Sequence, residues 1–274
     1  MSDAGHGERL TGRKKVLKTA IEAAKQAGRV IAKRYSAPHT ITLKGCRDLV
    51  TDVDTAAEAA ILSLIRARFP DHTIISEEAG GNKISRGYTW VVDPLDGTTN
   101  YAHGHPVFAI SIAVLEGGEP LIGVIHDPLR DQLFVAQRGN GARLNGAPVH
   151  VSHVANLCNA LLGTDWGHSN EVRERMLIYL RRVAPRCGTV RMLGSATLAL
   201  AYVAAGWLDA YFQLSLKSWD AAAGMLIVTE AGGRCTTLEA ESYRVGLPGC
   251  LASNGLIHDE LLWAIKQPDL FDDS

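Results

Sequence analysis

Four acidic residues lie where apolar segments end or where helices begin. They are Glu77 after T-I-I-S, Asp93 after W-V-V, Asp96 three positions later, and Asp220 in W-D-A-A-A-G. Taken singly, Asp220 is explained by helix capping, and Asp93 and Asp96 are explained by a turn. Together in one half-buried site, the four carboxylates would repel one another and lose hydration unless divalent cations neutralised them. Their oxygen atoms suit Mg²⁺, and two such ions would balance four carboxylates.

The segment G-T-T after Asp96 supplies donors for an anion. Gly97 allows the backbone to approach a ligand closely, and Thr98 and Thr99 begin a short predicted helix. Free N–H groups at the start of a helix attract anions, so we expect phosphate at this point. No G-x-x-x-x-G-K-[ST] sequence occurs, so the pattern differs from a P-loop. This turn therefore predicts metal ligands and a phosphate site side by side.

An attacking water needs a residue that orients or deprotonates it. The stretch D-L-V-T-D-V-D supplies Asp48, Asp52 and Asp54 just before a predicted helix. Each of the three is equally well explained as an acidic residue that the dipole favours in the first turn of that helix. The residues alone leave the choice among them open.

Helices and strands must bring these residues together. Helical spacing of apolar residues predicts helices over residues 14–35 and 51–69, with Thr51 as the cap of the second. Short β-rich runs between residues 72 and 137, separated by turns such as E-G-G-E-P, predict an antiparallel sheet.

The chain is predicted to divide near residue 150. We expect a disordered tail over residues 1–12 and an α+β half over 13–150, with the antiparallel sheet and most metal ligands. An α/β half over 151–274 would hold the substrate pocket and Asp220. A cleft between two halves is a common place for a ligand.

Bulk composition excludes several classes of protein. The chain has 274 residues, of which 46% are hydrophobic, enough for a substantial core. A net charge of −1 gives no basic field for nucleic acid or a membrane surface, so we expect neither as a direct partner. Five cysteines without C-x-x-C spacing, and no apolar leader segment, favour reduced thiols and a cytoplasmic location.

The sequence resembles the inositol monophosphatase family. The motif D-P-[LI]-D-G-T-T-N-[FY] is present at residues 93–101, and W-D-x-A-[AG]-G, followed by T-E-A-G-G, at 219–224 and 229–233. S-E-E at 76–78 and D-L-V-T-D-V-D at 48–54 match further blocks of the family. The similarity extends from about residue 14 to residue 266.

This resemblance implies an α+β fold and a chemistry. The expected fold is the layered α-β-α-β-α sandwich of the inositol monophosphatase and fructose-1,6-bisphosphatase type, and the expected activity is metal-dependent hydrolysis of phosphate monoesters. Glu77, Asp93 and the carbonyl of Leu95 would hold one Mg²⁺. Asp93, Asp96 and Asp220 would hold a second, and a third, weaker ion would share Glu77.

Further roles follow from the same resemblance. Asp54 and Thr98 would activate the water, with Glu77 also counted as catalytic, and Gly97 and Thr98 would contact phosphate. Lys44 would lie on a mobile loop that closes over the site. The implied substrate contacts are Asp96, Gly194, Ser195, Ala196, Gln213 and Asp220. Relatives that act on inositol phosphates commonly carry Glu where this chain has Gln213, so strict inositol preference is in doubt.

The expected substrate is a small phosphorylated polyol or sugar, with inositol monophosphate first. Fructose 1,6-bisphosphate, histidinol phosphate and 3′-phosphoadenosine nucleotides are alternatives on the same fold. Enzymes for the last two often carry Lys after D-G-T, whereas this chain has Thr99. An alternative of another class is a regulatory, protein-binding role in RNA metabolism. The resemblance also implies a homodimer and sensitivity to lithium.

Overall fold

A computed structural model describes the backbone of residues 3–45, 47–81 and 83–268, with side chains from residue 12 onward. Its helices are α1 (Asp3–Arg34), α2 (Asp52–Arg68), α3 (Thr98–Ala102), α4 (Asn170–Val183), α5 (Ala196–Ala204), α6 (Ser218–Glu230) and α7 (His258–Lys266), with a 3₁₀ turn at Leu157–Asn159.

The strands fall into three sheets. A hairpin contains β1 (Ile41–Gly45) and β2 (Asp48–Thr51). The larger sheet contains β3 (Thr73–Ser76), β4 (Tyr88–Asp96), β5 (Ala109–Glu116), β6 (Glu119–Asp127), β7 (Gln132–Gln137), β8 (Ala142–Leu144) and β9 (Ala147–Val149). The smaller contains β10 (Leu161–Thr164), β11 (Thr189–Arg191), β12 (Ala210–Gln213), β13 (Arg234–Thr236) and β14 (Cys250–Ser253).

Three apolar cores stack the elements into five layers. One core joins α1 and α2 to the larger sheet, and a second joins the opposite face of that sheet to α5 and α6. The second core continues onto the smaller sheet, whose far face packs against α4 and α7. The α-β-α-β-α sandwich expected from the sequence is confirmed.

The larger sheet is buried on both faces, and this explains its continuous apolar strands. Trp90 and Val92 of β4 belong to the core with α1 and α2, whereas Val91 belongs to the core with α5 and α6. Strands β4 to β9 form an antiparallel meander, and β3 runs parallel to β4. The predicted hairpin turn E-G-G-E-P has Gly117 and Gly118 at φ 63° and 90°, as a type I′ turn requires.

The smaller sheet has the strand order β11-β10-β12-β14-β13. Strands β11, β10 and β12 are parallel, whereas β14 is antiparallel to both β12 and β13. The carboxyl ends of β10 and β12 therefore lie side by side. We propose that the two large sheets mark the halves 13–150 and 151–274, of which residues 269–274 lie outside the described part.

Two segments differ from what the sequence predicts. Residues 3–12 are helical in α1, where we expected a disordered tail; residues 1 and 2 lie outside the described part. Extending an existing helix avoids the cost of nucleation, so even a polar segment that precedes the helix can join it. Lys44 lies in strand β1, paired with β2, where we expected a loop. The side chains of β1 are exposed, so burial provides no periodic signal there.

Among the described helices, none has an apolar stretch of the length and composition that crossing a bilayer requires.

His258, at the start of α7, links the fold to pH. Its ring is fully buried, with Nε2 2.9 Å from Thr236 Oγ1 and Nδ1 2.8 Å from Ser253 Oγ. The Thr236 hydroxyl donates to the Thr237 carbonyl, so the neutral ring donates from Nε2 and accepts at Nδ1. Burial, aided by the charge of Arg234, lowers the pKa of His258 to about 4.

We therefore expect the protein to lose stability as the pH falls from about 6.5 to 4. Over this window the unfolded chain binds the proton that folded His258 refuses, which costs about 3 kcal/mol in total. Urea unfolding of the wild type and of His258→Gln across this range measures the effect. The free energy of unfolding of the variant should fall less steeply with decreasing pH than that of the wild type. Equal pH dependence would contradict the lowered pKa of His258.

Candidate functional site

A bulge at the end of β4 brings Asp93 and Asp96 to one face. Asp93 pairs with Ser111 and Asp96 with Ala109, so three steps along β4 oppose two along β5. Residues three apart in a regular strand face opposite sides, and the extra residue corrects this. Pro94 lies within the bulge, where no ladder hydrogen bond is required of it. Ser111 Oγ donates to the Trp219 carbonyl, so this face is directed toward the start of α6.

Asp220 lies in the first turn of α6, beside Trp219. The Lys217 N–H donates to its Oδ2 at 2.7 Å, which is the helix-capping role considered from sequence. Burial and the charge of Asp96 raise the pKa of Asp220, with a further contribution from Glu77. Its capping and its approach to the other acidic residues therefore coexist.

Asp54 is held at the start of α2. Thr51 caps this helix, and its N–H donates to Asp54 Oδ2 at 2.9 Å in a capping box. The hydroxyl of Thr98 lies 2.8 Å from the other carboxylate oxygen of Asp54 and 3.0 Å from the Leu95 carbonyl oxygen. Asp54 is completely buried, and burial raises its pKa. Of the three candidates for the water-activating acid, Asp54 reaches the D-G-T-T turn.

Asp52 and Asp48, the alternatives to Asp54, have other partners. Asp52 pairs with Arg34 and accepts from the Thr40 N–H. Asp48 lies 3.8 Å from Lys44 Nζ on the exposed hairpin.

Glu77 follows β3 and faces a lysine. Lys44 Nζ lies 3.1 Å from Glu77 Oε1 and 2.7 Å from Glu78 Oε1. Burial opposes the charge on Lys44, but these two carboxylates more than compensate and raise its pKa. Burial also raises the pKa of Glu77, against the lowering influence of Lys44. The hairpin thus reaches the predicted metal site through Lys44.

The turn that carries Glu77 is organised by Glu58, which the sequence analysis missed. Glu58 Oε1 accepts from the Ser76 hydroxyl and from the N–H groups of Glu78 and Ala79, at 3.1 and 2.9 Å. Glu58 is only 6% exposed. A mid-helix glutamate has no local signal for this role, although its position on the buried face of α2 was a hint.

We expect Glu58→Ala to loosen the Glu77 turn. Losing an acceptor shared by three donors should lower the free energy of unfolding by about 1–3 kcal/mol. The Mg²⁺ concentration for half-maximal phosphate release should rise about tenfold, since Glu77 would lose its support. Glu58→Gln keeps the acceptor oxygen and serves as the matched control. An unchanged Mg²⁺ requirement in Glu58→Ala would show that the turn holds without it.

Gly97 and Thr98 form the start of α3. Gly97 has φ 89°, and a Cβ built there would lie 2.9 Å from the Val107 carbonyl oxygen and 3.2 Å from that of Gly194. Only glycine fits such close backbone contacts at this φ. The role of Gly97 and Thr98 in phosphate binding stays a prediction.

Asn100 links the signature to Leu193, next to the predicted substrate segment. Its Nδ2 donates to the carbonyls of Val107 and Leu193, at 2.7 and 2.8 Å. Gly194, next to Leu193, has φ 70°, and a Cβ there would lie 2.8 Å from Asn100 Nδ2. Sequence analysis recognised Asn100 within the motif but assigned it no role.

The start of the helix that follows Gly194 donates hydrogen bonds to Asp96. Ser195 caps α5 by accepting from the Leu198 N–H, and its hydroxyl donates to Asp96 Oδ2. The Thr197 N–H and hydroxyl donate to the same oxygen, at 3.0 and 2.7 Å. Ala196 is the first residue of α5. Three of the predicted substrate contacts therefore adjoin a predicted metal ligand.

Gln213 ends β12 and is almost fully buried. Its Nε2 donates to the Asp165 carbonyl at 2.7 Å, and its Oε1 accepts from the Leu214 N–H at 2.6 Å. The predicted hydrogen bond from Gln213 to a substrate hydroxyl stays a prediction.

The acidic cluster fits a divalent cation. Burial, then the charges of Glu77, Asp96 and Asp220, raise the pKa of Asp93 well above its usual range. Burial likewise raises the pKa of Asp96. Within the described residues, no cationic side chain lies within 4.0 Å of Asp93, Asp96 or Asp220. Buried carboxylates that repel one another and lack a counter-ion suit Mg²⁺.

In the described part of the chain, the ligands do not yet surround one point. No three His, Cys, Asp or Glu side chains there form a ready metal site. The contacts explain this, because Lys44 pairs with Glu77 and three donors occupy Asp96 Oδ2. We expect ion binding to separate Lys44 from Glu77.

Comparison with known proteins decides the family. The sequence profile of the inositol monophosphatase family matches residues 13–268. The chain belongs to the inositol monophosphatase family. It therefore has the phosphatase fold of a family that is metal-dependent and generally uses Mg²⁺.

Individual relatives cover most of the chain. Nus factor SuhB of Escherichia coli (strain K12) is 44% identical over 224 residues, 80% of this chain and 83% of that protein. Phosphatase IMPL1, chloroplastic, of Arabidopsis thaliana is 41% identical over 250 residues, 88% of this chain and 67% of that protein. The structure of the inositol monophosphatase from Anabaena (Nostoc) sp. PCC 7120 has a TM-score of 0.82 and 36% identity, covering 94% of this chain and 98% of that one.

One expectation is corrected by these relatives. We expected no nucleic acid among the partners of this inositol monophosphatase homologue, because the net charge is −1. Relatives in Pasteurella multocida, Escherichia coli and Haemophilus influenzae are named Nus factor, a name used for proteins of transcription, so that expectation is wrong. Net charge is a sum over the whole chain, and it tests neither a local basic patch nor a role beside other proteins.

Proposed function

We propose that this protein hydrolyses a phosphate monoester of a small polyol or sugar, inositol monophosphate first, with Mg²⁺ in the cytoplasm. The observation that carries the proposal is the convergence of Glu77, Asp93, Asp96 and Asp220 from three separate segments, so that the charges of Glu77, Asp96 and Asp220 all raise the pKa of Asp93. Membership of the inositol monophosphatase family supports the same reaction.

Asp93, Asp96 and Asp220, with Glu77 and the Leu95 carbonyl, would hold the ions. Bound Mg²⁺ supplies positive charge that neutralises the transferring phosphoryl group and acidifies an attacking water. The Leu95 N–H donates to Asp93 Oδ1 at 3.0 Å, which orients that carboxylate against its own turn.

Thr98 and Asp54 handle the proton of the water. The Thr98 hydroxyl donates to Asp54 Oδ1, which leaves the lone pairs of Thr98 Oγ1 to accept a hydrogen from the water. The proton would pass to Thr98 Oγ1 as the Thr98 hydrogen moves to Asp54. Thr51, fixed at the cap of α2, keeps Asp54 in position for this exchange.

Phosphate release from a panel of substrates, with Mg²⁺ and with EDTA, tests the proposal. The panel contains inositol 1-phosphate, fructose 1,6-bisphosphate, histidinol phosphate, 3′-phosphoadenosine 5′-phosphate and glycerol 2-phosphate. We expect turnover that depends on Mg²⁺, with inositol 1-phosphate preferred. A folded protein that binds Mg²⁺ and releases no phosphate from any of them would overturn it.

A second function, in transcription, is favoured by one observation. The 44% identity to Nus factor SuhB of Escherichia coli supports such a role for this chain. A strain of Escherichia coli that lacks SuhB, supplied with the wild type or with Asp93→Asn, tests whether the role needs hydrolysis. Restored transcription with both proteins would support a separate role, and restoration with neither would contradict it.

A further inference from the structure

One carboxylate beside the predicted substrate segment was not singled out from the sequence. Asp165 directly follows β10, beside the end of β12, where Gln213 lies. Its Oδ1 accepts from the Gly194 N–H at 2.7 Å, and its Oδ2 from the Tyr211 hydroxyl at 3.2 Å. Asp165 thus touches the segment predicted to bind substrate, although no motif marks it.

Asp165 keeps capacity for a ligand. A carboxylate has about four acceptor positions; the hydrogen bonds from Gly194 and Tyr211 use two of them, and the Leu193 N–H contributes a third, which leaves one for a ligand. The residue is half-buried, and the described chain places no cationic side chain within 4.0 Å of it. Burial chiefly raises the pKa of Asp165 to about 7, and the charge of Asp96 adds to this, so the two carboxylates lie within electrostatic reach.

Gln213, in contrast, is already committed. The nitrogen and the oxygen of its side-chain amide each form a hydrogen bond with the backbone, of Asp165 and Leu214 respectively. The side chain is 2% exposed. Turning toward a substrate would break both hydrogen bonds inside a buried site, which is costly. The contact with the Asp165 carbonyl instead ties the ends of β10 and β12 together and holds Asp165 in place.

We propose that Asp165, positioned by Gln213, binds the hydroxyl groups of the substrate and selects monophosphates of uncharged polyols over substrates with a second phosphate. This inference rests on the proposed function and names its substrate class. A carboxylate accepts hydrogen bonds from hydroxyl groups and repels a second phosphate. The acceptor charge that Gln213 lacks is thereby supplied from the neighbouring strand.

Steady-state kinetics of Asp165→Asn at pH 8, where Asp165 is ionised, test the selection. Asparagine keeps an oxygen for the Gly194 N–H and removes the charge, and its NH₂ group replaces the oxygen that accepts from the Tyr211 hydroxyl, which can turn to accept instead. For inositol 1-phosphate, KM should rise about tenfold with little change in kcat, the effect of losing a hydrogen bond to a charged group. For fructose 1,6-bisphosphate, kcat/KM should hold or rise. For p-nitrophenyl phosphate, whose leaving group has no polyol hydroxyls, kcat/KM should not change.

The controls separate binding from folding. Asp209→Asn changes a buried carboxylate at the other end of β12, which accepts from the Ser152 hydroxyl and the Leu161 N–H. It should leave the ratio between substrates unchanged. An equal loss in Asp165→Asn on all three substrates would overturn the inference in favour of a structural role, and no loss on any would overturn it outright.

The positioning role of Gln213 has its own test. Gln213→Met keeps the volume and removes both hydrogen bonds, so KM for inositol 1-phosphate should rise as in Asp165→Asn. In the double variant little further rise is expected, because both changes remove the same interaction. Additive effects would overturn the claim that Asp165 depends on Gln213 for its position.

Failure of the proposed function is distinguishable from failure of this inference. A wild type that releases no phosphate with Mg²⁺ from any of the three substrates overturns the proposed function, and the inference with it. Wild-type turnover with substrate ratios that Asp165→Asn does not alter overturns the inference alone.

Discussion

Asp93→Asn should abolish phosphate release while the fold remains intact. Asp93 is 1% exposed and adjoins three other acidic residues, so we propose it as the central ligand of the two Mg²⁺ ions. We expect kcat to fall about a thousandfold or more, since the charge that the transferring phosphoryl group needs would be lost. Phosphate release with inositol 1-phosphate measures this, and activity like that of the wild type would refute the metal site.

The same variant should respond to Mg²⁺ in the opposite way to the wild type. Without metal, Asp93→Asn removes a buried charge from a repelling cluster, so its free energy of unfolding should equal or exceed that of the wild type. With Mg²⁺, only the wild type should gain stability, because ligands that bind the folded state stabilise it. Thermal unfolding in EDTA and in Mg²⁺ shows both effects.

Asp209→Asn is the matched control for Asp93→Asn. Asp209 is also a buried aspartate, but it accepts hydrogen bonds from Ser152 and Leu161 away from the cluster. Its replacement should lower stability and leave kcat unchanged, the reverse of the pattern for Asp93.

Gly97→Ala should damage both stability and turnover. The added Cβ would meet the carbonyl oxygens of Val107 and Gly194 at 2.9 and 3.2 Å, and the Phe108 Cα at 3.3 Å. These are backbone atoms, so no side-chain rotation relieves the clash. With the strain of alanine at φ 89°, the free energy of unfolding should fall by about 2–5 kcal/mol. Displacing Thr98 should also lower kcat.

Gly104→Ala isolates the backbone strain in that result. Gly104 has φ 70°, but an added Cβ would meet nothing within 4 Å. Its replacement should cost only about 1–2 kcal/mol and keep turnover. Urea unfolding and phosphate release of both variants measure the difference; equal effects would mean that the contacts of Gly97 do not matter.

Much of this arrangement could be predicted from local sequence. The end of α2 before Pro70 and its cap at Thr51 follow from side-chain chemistry. The meander from β4 to β7 follows from β-rich runs and glycine turns, and the short helix after Gly97 from its G-T-T start. In each case the determining residues are close in sequence, so pattern and structure coincide.

The supporting residues could not be predicted, because their partners are distant in sequence. Glu58 acts on a turn about 20 residues away, and Asn100 on Leu193, 93 residues away. Asp165 meets Gly194 and Tyr211 only because β10 and β12 are neighbours in the sheet. Such pairings depend on the order of strands, which the spacing of apolar residues does not specify.

The three donors from the start of α5 to Asp96 Oδ2 would link the proposed metal binding thermodynamically to the proposed substrate binding. Ser195 is a predicted substrate contact, and Ser195 and Thr197 both donate hydrogen bonds to a proposed metal ligand. Any ligand that moves the start of α5 changes the affinity for Mg²⁺, and Mg²⁺ changes the affinity for that ligand by the same factor. We therefore expect substitutions in the predicted substrate segment to shift the Mg²⁺ concentration that the proposed activity needs.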